Sequence, residues 1–313
     1  MTKPRILFLG TPDFAVPALS ALVRHGYPIC AVVTQPDRPR GRGRSLAPPP
    51  VKIAAEGMSL PVLQPAKVRQ AEFLATFDDL APELVVVAAF GQILPPEIIR
   101  GPKRGCINIH PSLLPKYRGA APINWALIRN ERTTGVTIMR MDEGVDTGDI
   151  LLQEETPILA EDNYGDLHDR LAKLGAELLL IALAMGETGT LLPRPQDHQQ
   201  ASFAPRLARE DGLIHWEADV RTIVSLVRGL SPTPCAFTFL QGKQLKVYAA
   251  TAEATAVNAP PGTVIEVGRG GLRIAAGNGA VALQEVQWEG KKRLPVEDFL
   301  RGLRLAPGEV LGQ

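Results

Sequence analysis

The sequence predicts an α/β fold, in which a doubly wound parallel sheet is followed by a small β-barrel. The first half alternates apolar, β-rich runs with helical patterns, as βαβ units do. The run LVVVAAF at residues 84–90 is apolar at every position, which is typical of a strand covered by helices on both faces. From about residue 209, short strand-like runs punctuated by Gly and Asn follow one another, and this spacing favours a barrel or a sandwich.

The first half supplies the elements of a Rossmann-like sheet. An apolar run at residues 5–10 is stopped by Gly10, and a helix is expected over residues 14–24, with Pro17 near its first turn. A second helix is expected over residues 165–186, where leucines recur at helical spacing. The other strands are expected in the runs ICAVVTQ (29–35), GCINIH (105–110), VTIMR (136–140) and ILLQEETPI (150–158).

A change of composition divides the chain. Residues 190–208 are rich in Pro, Gln and small polar residues, as linkers are. We therefore expect a first domain at residues 1–189 and a second at residues 209–313. The second domain is expected to form an OB-like barrel from the strands KQLKVYAAT, GTVIEV, GLRIAAG and AVALQEVQW.

Composition and charge exclude several classes of protein. The 313 residues, of which 45% are hydrophobic, can form a large core, and a net charge of +1 does not indicate a general nucleic-acid binder. The three cysteines form no CxxC pair or Cys/His cluster, so we expect no metal site and a reduced, cytoplasmic chain. No apolar run is long enough for a signal peptide or a membrane span. We expect a monomer.

Two polar residues, Asn108 and His110, lie at the end of an otherwise apolar strand. They alternate with Ile107 and Ile109, so both side chains share one face of the strand. Ligands of open α/β sheets bind outside the carboxyl ends of the strands. An isolated His at this place most often only bonds a backbone carbonyl, but the Asn on the same face favours a functional pair.

A cluster of carboxylates follows the next strand. Gly144 and Gly148 bracket Asp146 and are expected to let the backbone turn sharply around it. Because the segment follows a strand expected in the same sheet, one carboxylate is placed to reach His110. The cluster consists of Asp142, Glu143, Asp146 and Asp149.

An Asn, a His and a carboxylate without a good nucleophile indicate acyl transfer directly between two substrates. The amide can donate to a developing oxyanion, and the imidazole can donate or shuttle a proton. The carboxylate can take the proton of an attacking amine, directly or through water. No nucleophile elbow surrounds Ser112, and the turn GTPDFA lacks the GxGxxG pattern of a nicotinamide enzyme.

The stretch INIHPSLLPKYRGAAPI (107–123), followed by VTIMRMDEGVDTGDIL (136–151), resembles the signature of the folate-dependent formyltransferase family. That signature joins an Asn-x-His and an SLLPxYRG loop to a downstream DxGxDTGxI segment, and both halves occur here in that order. The similarity runs along the whole chain. The stretches ILFLGTPDFAVPAL and QPDRPRGRGRSLAPPPVK are most similar to the members that act on tRNA.

The resemblance implies a reaction and a set of site residues. The reaction transfers a formyl group from 10-formyltetrahydrofolate, a co-substrate, to the α-amine of methionine on initiator methionyl-tRNA. The resemblance implies a catalytic trio of Asn108, His110 and Asp146. It also implies that formyl-folate binds at Ser112, Leu113, Leu114 and Pro115.

Two basic stretches are candidates for contact with RNA. Residues 35–52 have little expected regular structure and carry Lys52 and four arginines against Asp37 alone, a local charge of +4. Arg42 lies between two glycines and is our preferred residue for insertion into tRNA. From residue 209 on, 12 Lys and Arg face 11 Asp and Glu, so only a local cluster is basic. The predicted RNA contacts are Arg38, Arg40, Arg42, Arg44, Lys291, Lys292 and Arg293.

Two other interpretations stay open. A folate-dependent formyltransferase acting on a small amine, such as an amino nucleotide sugar or glycinamide ribonucleotide, would use the same trio. Such an enzyme would not need the flexible basic arm at residues 35–52. A non-enzymatic RNA-binding protein of the same fold is the second alternative, and the intact trio argues against it.

Overall fold

The computed structural model describes residues 3–40, 45–255, 257–268 and 271–312. Its backbone contacts divide the chain into two compact units. Unit 1 consists of Met1–Ala120, Thr133–Pro157 and His168–Ala204. Unit 2 consists of Ala121–Arg132, Ile158–Leu167 and Pro205–Gln313.

Unit 1 is built on a seven-stranded mixed sheet with the order β5-β2-β1-β6-β7-β8-β9. The first five strands in this order are parallel, whereas β8 is antiparallel to both of its neighbours. A separate two-stranded ladder joins β3 to β4. The strands are β1 (Ile6–Gly10), β2 (Ile29–Val33), β3 (Arg38–Arg40), β4 (Ser45–Ala47), β5 (Val62–Leu63), β6 (Leu84–Ala88), β7 (Cys106–His110), β8 (Thr133–Arg140) and β9 (Ile150–Pro157).

The prediction of a Rossmann-like parallel sheet is confirmed for its first five strands, and the sheet as a whole is mixed because β8 is antiparallel. Parallel neighbours are joined by a crossover that packs on the sheet. The connection from β7 to β8 instead passes through residues of unit 2. The helix in that connection, Pro122–Ile128, belongs to unit 2, and β8 runs back antiparallel along β7.

The helices begin where the sequence offers a compatible first turn. Three of them start at a proline, whose fixed φ suits the first helical position. The helix expected over residues 14–24 begins at Val16, after a 3₁₀ turn at Asp13–Ala15. The helices are α1 (Val16–Arg24), α2 (Pro50–Gly57), α3 (Ala71–Leu80), α4 (Pro96–Arg100), α5 (Pro122–Ile128), α6 (Tyr164–Thr188), α7 (Val220–Leu230) and α8 (Val296–Arg301).

The core of unit 1 surrounds the central strands. Every residue of β1 and β6 is buried, as their uninterrupted apolar sequences predict. At the end of β1, a Cβ on Gly10 would lie 2.8 Å from the Cβ of Ala15 and 3.2 Å from the carbonyl oxygen of Ala88. Gly10 is therefore explained by the close approach of neighbouring atoms.

The segment expected to be a linker, residues 190–208, packs on unit 1 as far as Ala204. Arg194 forms a bridge with Ile150, and Phe203 forms one with Arg118. A 3₁₀ turn at His198–Gln200 lies between these two bridges. The segment is thus tied by backbone hydrogen bonds to the first residue of β9 and to the loop that follows β7.

Unit 2 contains a six-stranded antiparallel sheet with the order β10-β11-β14-β13-β12, in which β15 also pairs with β14. Helix α7 is capped by the Asp219 carboxylate, which accepts from the backbone N–H groups of Arg221 and Thr222. The predicted β-rich second domain is confirmed as an antiparallel sheet, and closure into an OB-like barrel stays a prediction. The strands are β10 (Ala236–Leu240), β11 (Lys243–Glu253), β12 (Val264–Gly268), β13 (Gly271–Ala276), β14 (Gly279–Trp288) and β15 (Arg293–Pro295).

Candidate active site

Strand β7 presents two chemically different faces. On one face, Ile109 meets α6 so closely that a Cβ on Gly175 would lie 2.7 Å from the isoleucine Cγ2. Because side chains alternate along a strand, Asn108 and His110 project from the other face. The polar residues are therefore presented at the carboxyl end of β7, on the face opposite the one covered by α6.

The structure brings His110 and Asp146 together. The His110 Nδ1 atom lies 3.7 Å from the Asp146 Oδ2 atom, with both side chains largely shielded from solvent. The same Oδ2 accepts a hydrogen bond of 2.8 Å from the backbone N–H of Gly119. A carboxylate held in this position attracts an imidazolium at Nδ1 and fixes the orientation of the ring.

The other ring nitrogen of His110 determines the tautomer. Nε2 lies 3.0 Å from the carbonyl oxygen of Tyr117. Since a carbonyl oxygen only accepts, Nε2 carries a proton and donates to it. In the neutral ring, Nδ1 is then the unprotonated nitrogen that can take a proton beside the Asp146 carboxylate.

The loop around Asp146 turns differently from the prediction. Asp146 itself has φ 52°, in the left-handed region, whereas neither Gly144 nor Gly148 has a positive φ. The two glycines are instead required by close packing. A Cβ on Gly148 would lie 1.9 Å from the backbone oxygen of Arg140, and one on Gly144 would lie 2.0 Å from the Thr147 hydroxyl.

Asn108 is the member of the trio with a free side chain. Its backbone lies between Val87 of β6 and Met139 of β8, and its side chain is half-buried. Within the described ranges, the Asn108 amide makes no hydrogen bond. The amide is therefore available to donate to a bound ligand.

The loop after His110 turns most of its polar groups inward. The buried Ser112 hydroxyl donates to the carbonyl of Lys116 at 2.7 Å, and the Ser112 carbonyl accepts from the Thr137 hydroxyl at 2.6 Å. Leu114 is buried, and its carbonyl accepts from Gln153 Nε2 at 2.8 Å. The side chains of Leu113 and Pro115 are only half-buried.

Sequence reasoning missed a buried polar network that holds the site. Gln196, which is 6% exposed, bonds the backbone carbonyls of Asp146 and Gly148 and accepts from the guanidinium of Arg118. Ser202 accepts from the backbone N–H of Tyr117 at 2.9 Å. Arg118 lies within the quoted family motif, which is a usable signal. Gln196 and Ser202 lie in a segment whose composition indicated only a linker.

Two protein-family models match the chain. The one described as formyl transferase matches residues 4–183, and the one described as formyl transferase, C-terminal domain, matches residues 206–304. The chain belongs to the formyl transferase family. It is therefore an enzyme of the formyl-transferring class.

Curated relatives agree over the full length of this formyltransferase. The methionyl-tRNA formyltransferase of Syntrophus aciditrophicus is 58% identical and covers 100% of both chains. The methionyl-tRNA formyltransferase of Citrifermentans bemidjiense is 50% identical over 100% of this chain and 98% of its own.

Solved structures share the fold at low sequence identity. HypX from Aquifex aeolicus in complex with tetrahydrofolic acid has a TM-score of 0.67 at 20% identity, over 96% of this chain and 47% of its own. The sugar 3N-formyl transferase WlaRD has a TM-score of 0.65 at 18% identity, over 93% and 100%. A methionyl-tRNA formyltransferase from Clostridium thermocellum has a TM-score of 0.56 at 16% identity, over 80% and 93%. At these identities the likeness shows the fold alone.

The basic stretch at residues 35–52 has more structure than the sequence predicts. Arg38 belongs to the β3–β4 ladder and donates to the Gln35 side-chain oxygen at 3.2 Å. Lys52 forms a 2.9 Å ion pair with Asp37. A hydrogen bond from Gln64, and then that from Lys52, lower the pKa of Asp37. Lys52 is therefore paired with Asp37 and is not a free cation of the loop.

The predicted arginine contacts differ in what the structure describes of them. Arg40 lies in the β3–β4 ladder. Arg42 and Arg44 lie outside the described residues.

The basic cluster of unit 2 is divided between free and paired cations. Lys291 and Lys292 are exposed. Arg293 forms an ion pair with Glu285 and stacks on the ring of Tyr248, with its Cζ 4.2 Å from the ring centroid. The hydrogen bond to Glu285 raises the pKa of Arg293. The cluster thus offers its two lysines to a polyanion more readily than Arg293.

In the part of the chain that the structure describes, no helix is long and apolar enough to cross a membrane. Among the same residues, no group of three or more His, Cys, Asp or Glu side chains could hold a metal ion.

Proposed function

We propose that this formyltransferase transfers the formyl group of 10-formyltetrahydrofolate to the α-amine of methionine on initiator methionyl-tRNA. The observation that carries the proposal is the pair of His110 and Asp146, 3.7 Å apart, beside the amide of Asn108, which makes no hydrogen bond to any residue that the structure describes. Relatives named methionyl-tRNA formyltransferase, matched over the full length, support the choice of acceptor.

The three side chains have complementary roles in the proposed reaction. 10-Formyltetrahydrofolate supplies the formyl carbon that the methionine amine attacks. Asn108 donates to the formyl oxygen as negative charge develops there. His110 accepts the amine proton at Nδ1, because Nε2 already donates to the Tyr117 carbonyl. Asp146 stabilises the resulting imidazolium, and the proton leaves with the tetrahydrofolate nitrogen when the carbon–nitrogen bond breaks.

The segment Ser112, Leu113, Leu114 and Pro115 fits a role in folate binding through two different contributions. The side chains of Leu113 and Pro115 are half-buried and can contact the co-substrate. Ser112 and Leu114 are engaged inside the protein, so they act by fixing the loop. The arrangement supplies an apolar contact surface on a backbone that is already ordered.

We assign tRNA binding to the two basic stretches. Arginines on a loop suit phosphates and base edges, and they also stack on bases. The exposed Lys291 and Lys292 of unit 2 supply a second contact.

We also propose a division of roles along the chain, in which residues 1–189 form the catalytic domain and residues 209–313 form the tRNA-binding domain. We further propose that the protein is a cytoplasmic monomer. Three free cysteines fit a reducing compartment.

A product assay tests the acceptor directly. The purified protein is mixed with 10-formyltetrahydrofolate and with either charged initiator tRNA or small amines, including amino nucleotide sugars. The proposal expects formyl-methionine on tRNA as the main product. Efficient formylation of a small amine, with none on tRNA, would overturn it.

Arg42→Ala tests the basic loop. The variant should weaken productive use of charged tRNA, and each lost phosphate contact should flatten the salt dependence of binding by about one unit of slope. Folate affinity is the control and should not change. Replacing Arg38, Arg40, Arg42 and Arg44 together should enlarge the effect. Unchanged tRNA affinity, rate and salt slope in the fourfold variant would favour a small-molecule acceptor.

A further inference from the structure

We infer that Gln196 is a positioning residue for formyl transfer: it holds the Asp146 backbone and the loop around Arg118 so that Asp146 is presented to His110. This inference rests on the proposed roles of Asp146 and His110. Gln196 lies in the segment whose composition predicts only a linker, residues 190–208.

The side-chain amide of Gln196 uses its full hydrogen-bonding capacity. Its Nε2 group donates to the carbonyls of Asp146 at 2.9 Å and Gly148 at 2.7 Å. Its Oε1 atom accepts from Nε and Nη2 of Arg118, at 3.1 and 2.6 Å. A primary amide has two N–H donors and two acceptor lone pairs, and all four are satisfied here.

These partners require an amide at this position. Backbone carbonyls only accept, and a guanidinium only donates, so the two ends of the amide cannot be exchanged. A carboxylate in its place would still accept from Arg118, but it would face the carbonyls of Asp146 and Gly148 without a donor. Gln196 and Arg118 are 6% and 4% exposed, so lost hydrogen bonds would not be replaced freely by water.

The network connects both partners of the catalytic pair. Asp146 is held at φ 52°, in the left-handed region, and Gln196 fixes the carbonyl of this residue. Arg118 lies between Tyr117, whose carbonyl accepts from His110, and Gly119, whose N–H donates to the Asp146 carboxylate. The Gln196 amide therefore sets the distance between the Asp146 carboxylate and the His110 imidazole.

The test is the substitution Gln196→Glu. The new carboxylate keeps a partner for Arg118 and loses both contacts to the Asp146 loop. The matched control is Gln199→Glu, which makes the same change of charge at an exposed position three residues away. We expect kcat to fall about 10- to 100-fold, as for displaced reacting groups. The KM for the formyl-folate should stay within about threefold of wild type, and so should the kcat of the control variant Gln199→Glu.

A double-mutant cycle separates positioning from a general loss of structure. In an Asp146→Asn background, followed by single-turnover rates, Gln196→Glu should cost less than about threefold, because the charge that it positions is already absent. An undiminished loss in that background would overturn the inference, as would a kcat equal to that of Gln199→Glu. If Gln196→Glu does not fold, Gln196→Met enters the same cycle with the same criteria.

The outcome does not depend on which amine is the natural acceptor. The series uses whichever acceptor the wild-type protein formylates. A preference for a small amine over charged tRNA would overturn the proposed function and would leave the comparison between the Gln196 and Gln199 variants intact.

Discussion

Replacement of Asp146 by Asn removes the charge of the carboxylate that we propose acts in catalysis, and it keeps the shape of the side chain. Asn tolerates the left-handed backbone found at this position, and its oxygen can still accept from the N–H of Gly119. The variant should therefore fold with nearly unchanged stability. What it loses is the attraction between a carboxylate and the imidazolium that forms during the reaction.

The distance between the two groups sets the size of the effect. His110 Nδ1 and Asp146 Oδ2 are 3.7 Å apart, and both side chains are mostly buried, at 5% and 16% exposure. At an effective dielectric constant of about 20, two unit charges at that distance attract by roughly 4 kcal/mol. Since each 1.36 kcal/mol is about tenfold in rate, kcat should fall by about 10²- to 10³-fold.

The assay compares wild type and Asp146→Asn in single-turnover formylation, with formyl-folate affinity and thermal unfolding measured in parallel. Folate affinity should stay within about threefold, because the proposed role of Asp146 is at the reacting groups and Asp146 lies outside the segment proposed to bind folate, residues 112–115. A formylation rate within about threefold of wild type would refute the electrostatic role of Asp146. A large fall in folate affinity would place Asp146 in binding instead.

Three further variants or probes test other parts of the structure. Asn108→Ala should lower turnover about 100- to 1000-fold with folate binding retained, as expected for a lost oxyanion donor, and near-normal turnover would contradict that role. Gly175→Ala places a Cβ 2.7 Å from the Ile109 Cγ2 and should destabilise unit 1 by about 1–3 kcal/mol in urea unfolding; an unchanged midpoint would show that α6 can move away. Burial raises the pKa of the Cys106 thiol far above its ordinary value, and that of Cys235 to about 11. Both thiols should therefore react slowly with iodoacetamide at pH 8 in the native protein and quickly after unfolding, and fast native labelling of either one, followed by mass spectrometry, would contradict their burial.

Much of the fold is predictable because it depends on local pattern. The continuous apolar runs that became β1 and β6 require cover on both faces, and the structure buries every residue in them. The alternation around Asn108 and His110 assigns both to one face of β7, since side-chain direction in a strand has a period of two. The third member of the trio, Asp146, was proposed from the resemblance to the formyltransferase signature, because the residues alone left four carboxylates as candidates.

The geometry of the trio depends on contacts between distant parts of the chain. The sequence predicts a sharp turn around Asp146, but not that Asp146 itself would take the left-handed conformation. In that conformation the Asp146 carbonyl accepts a hydrogen bond from Gln196, 50 residues further along the chain. The ion pair of Lys52 with Asp37 likewise joins two opposite charges of the basic stretch, so its net charge of +4 comes from the four arginines.

The sequence by itself determined the class of fold, the polar face of β7 and the chemical types of the candidate site residues, because periodicity and motif spacing record them directly. Only the tertiary structure decided that β8 turns antiparallel, that residues 190–204 pack on unit 1, and that one glutamine joins Asp146 to Arg118. The physical reason is that hydrogen bonds between loops need particular distances and angles but no repeating pattern. The sequence alone does not distinguish a buried glutamine with four hydrogen-bond partners from an exposed glutamine in a linker.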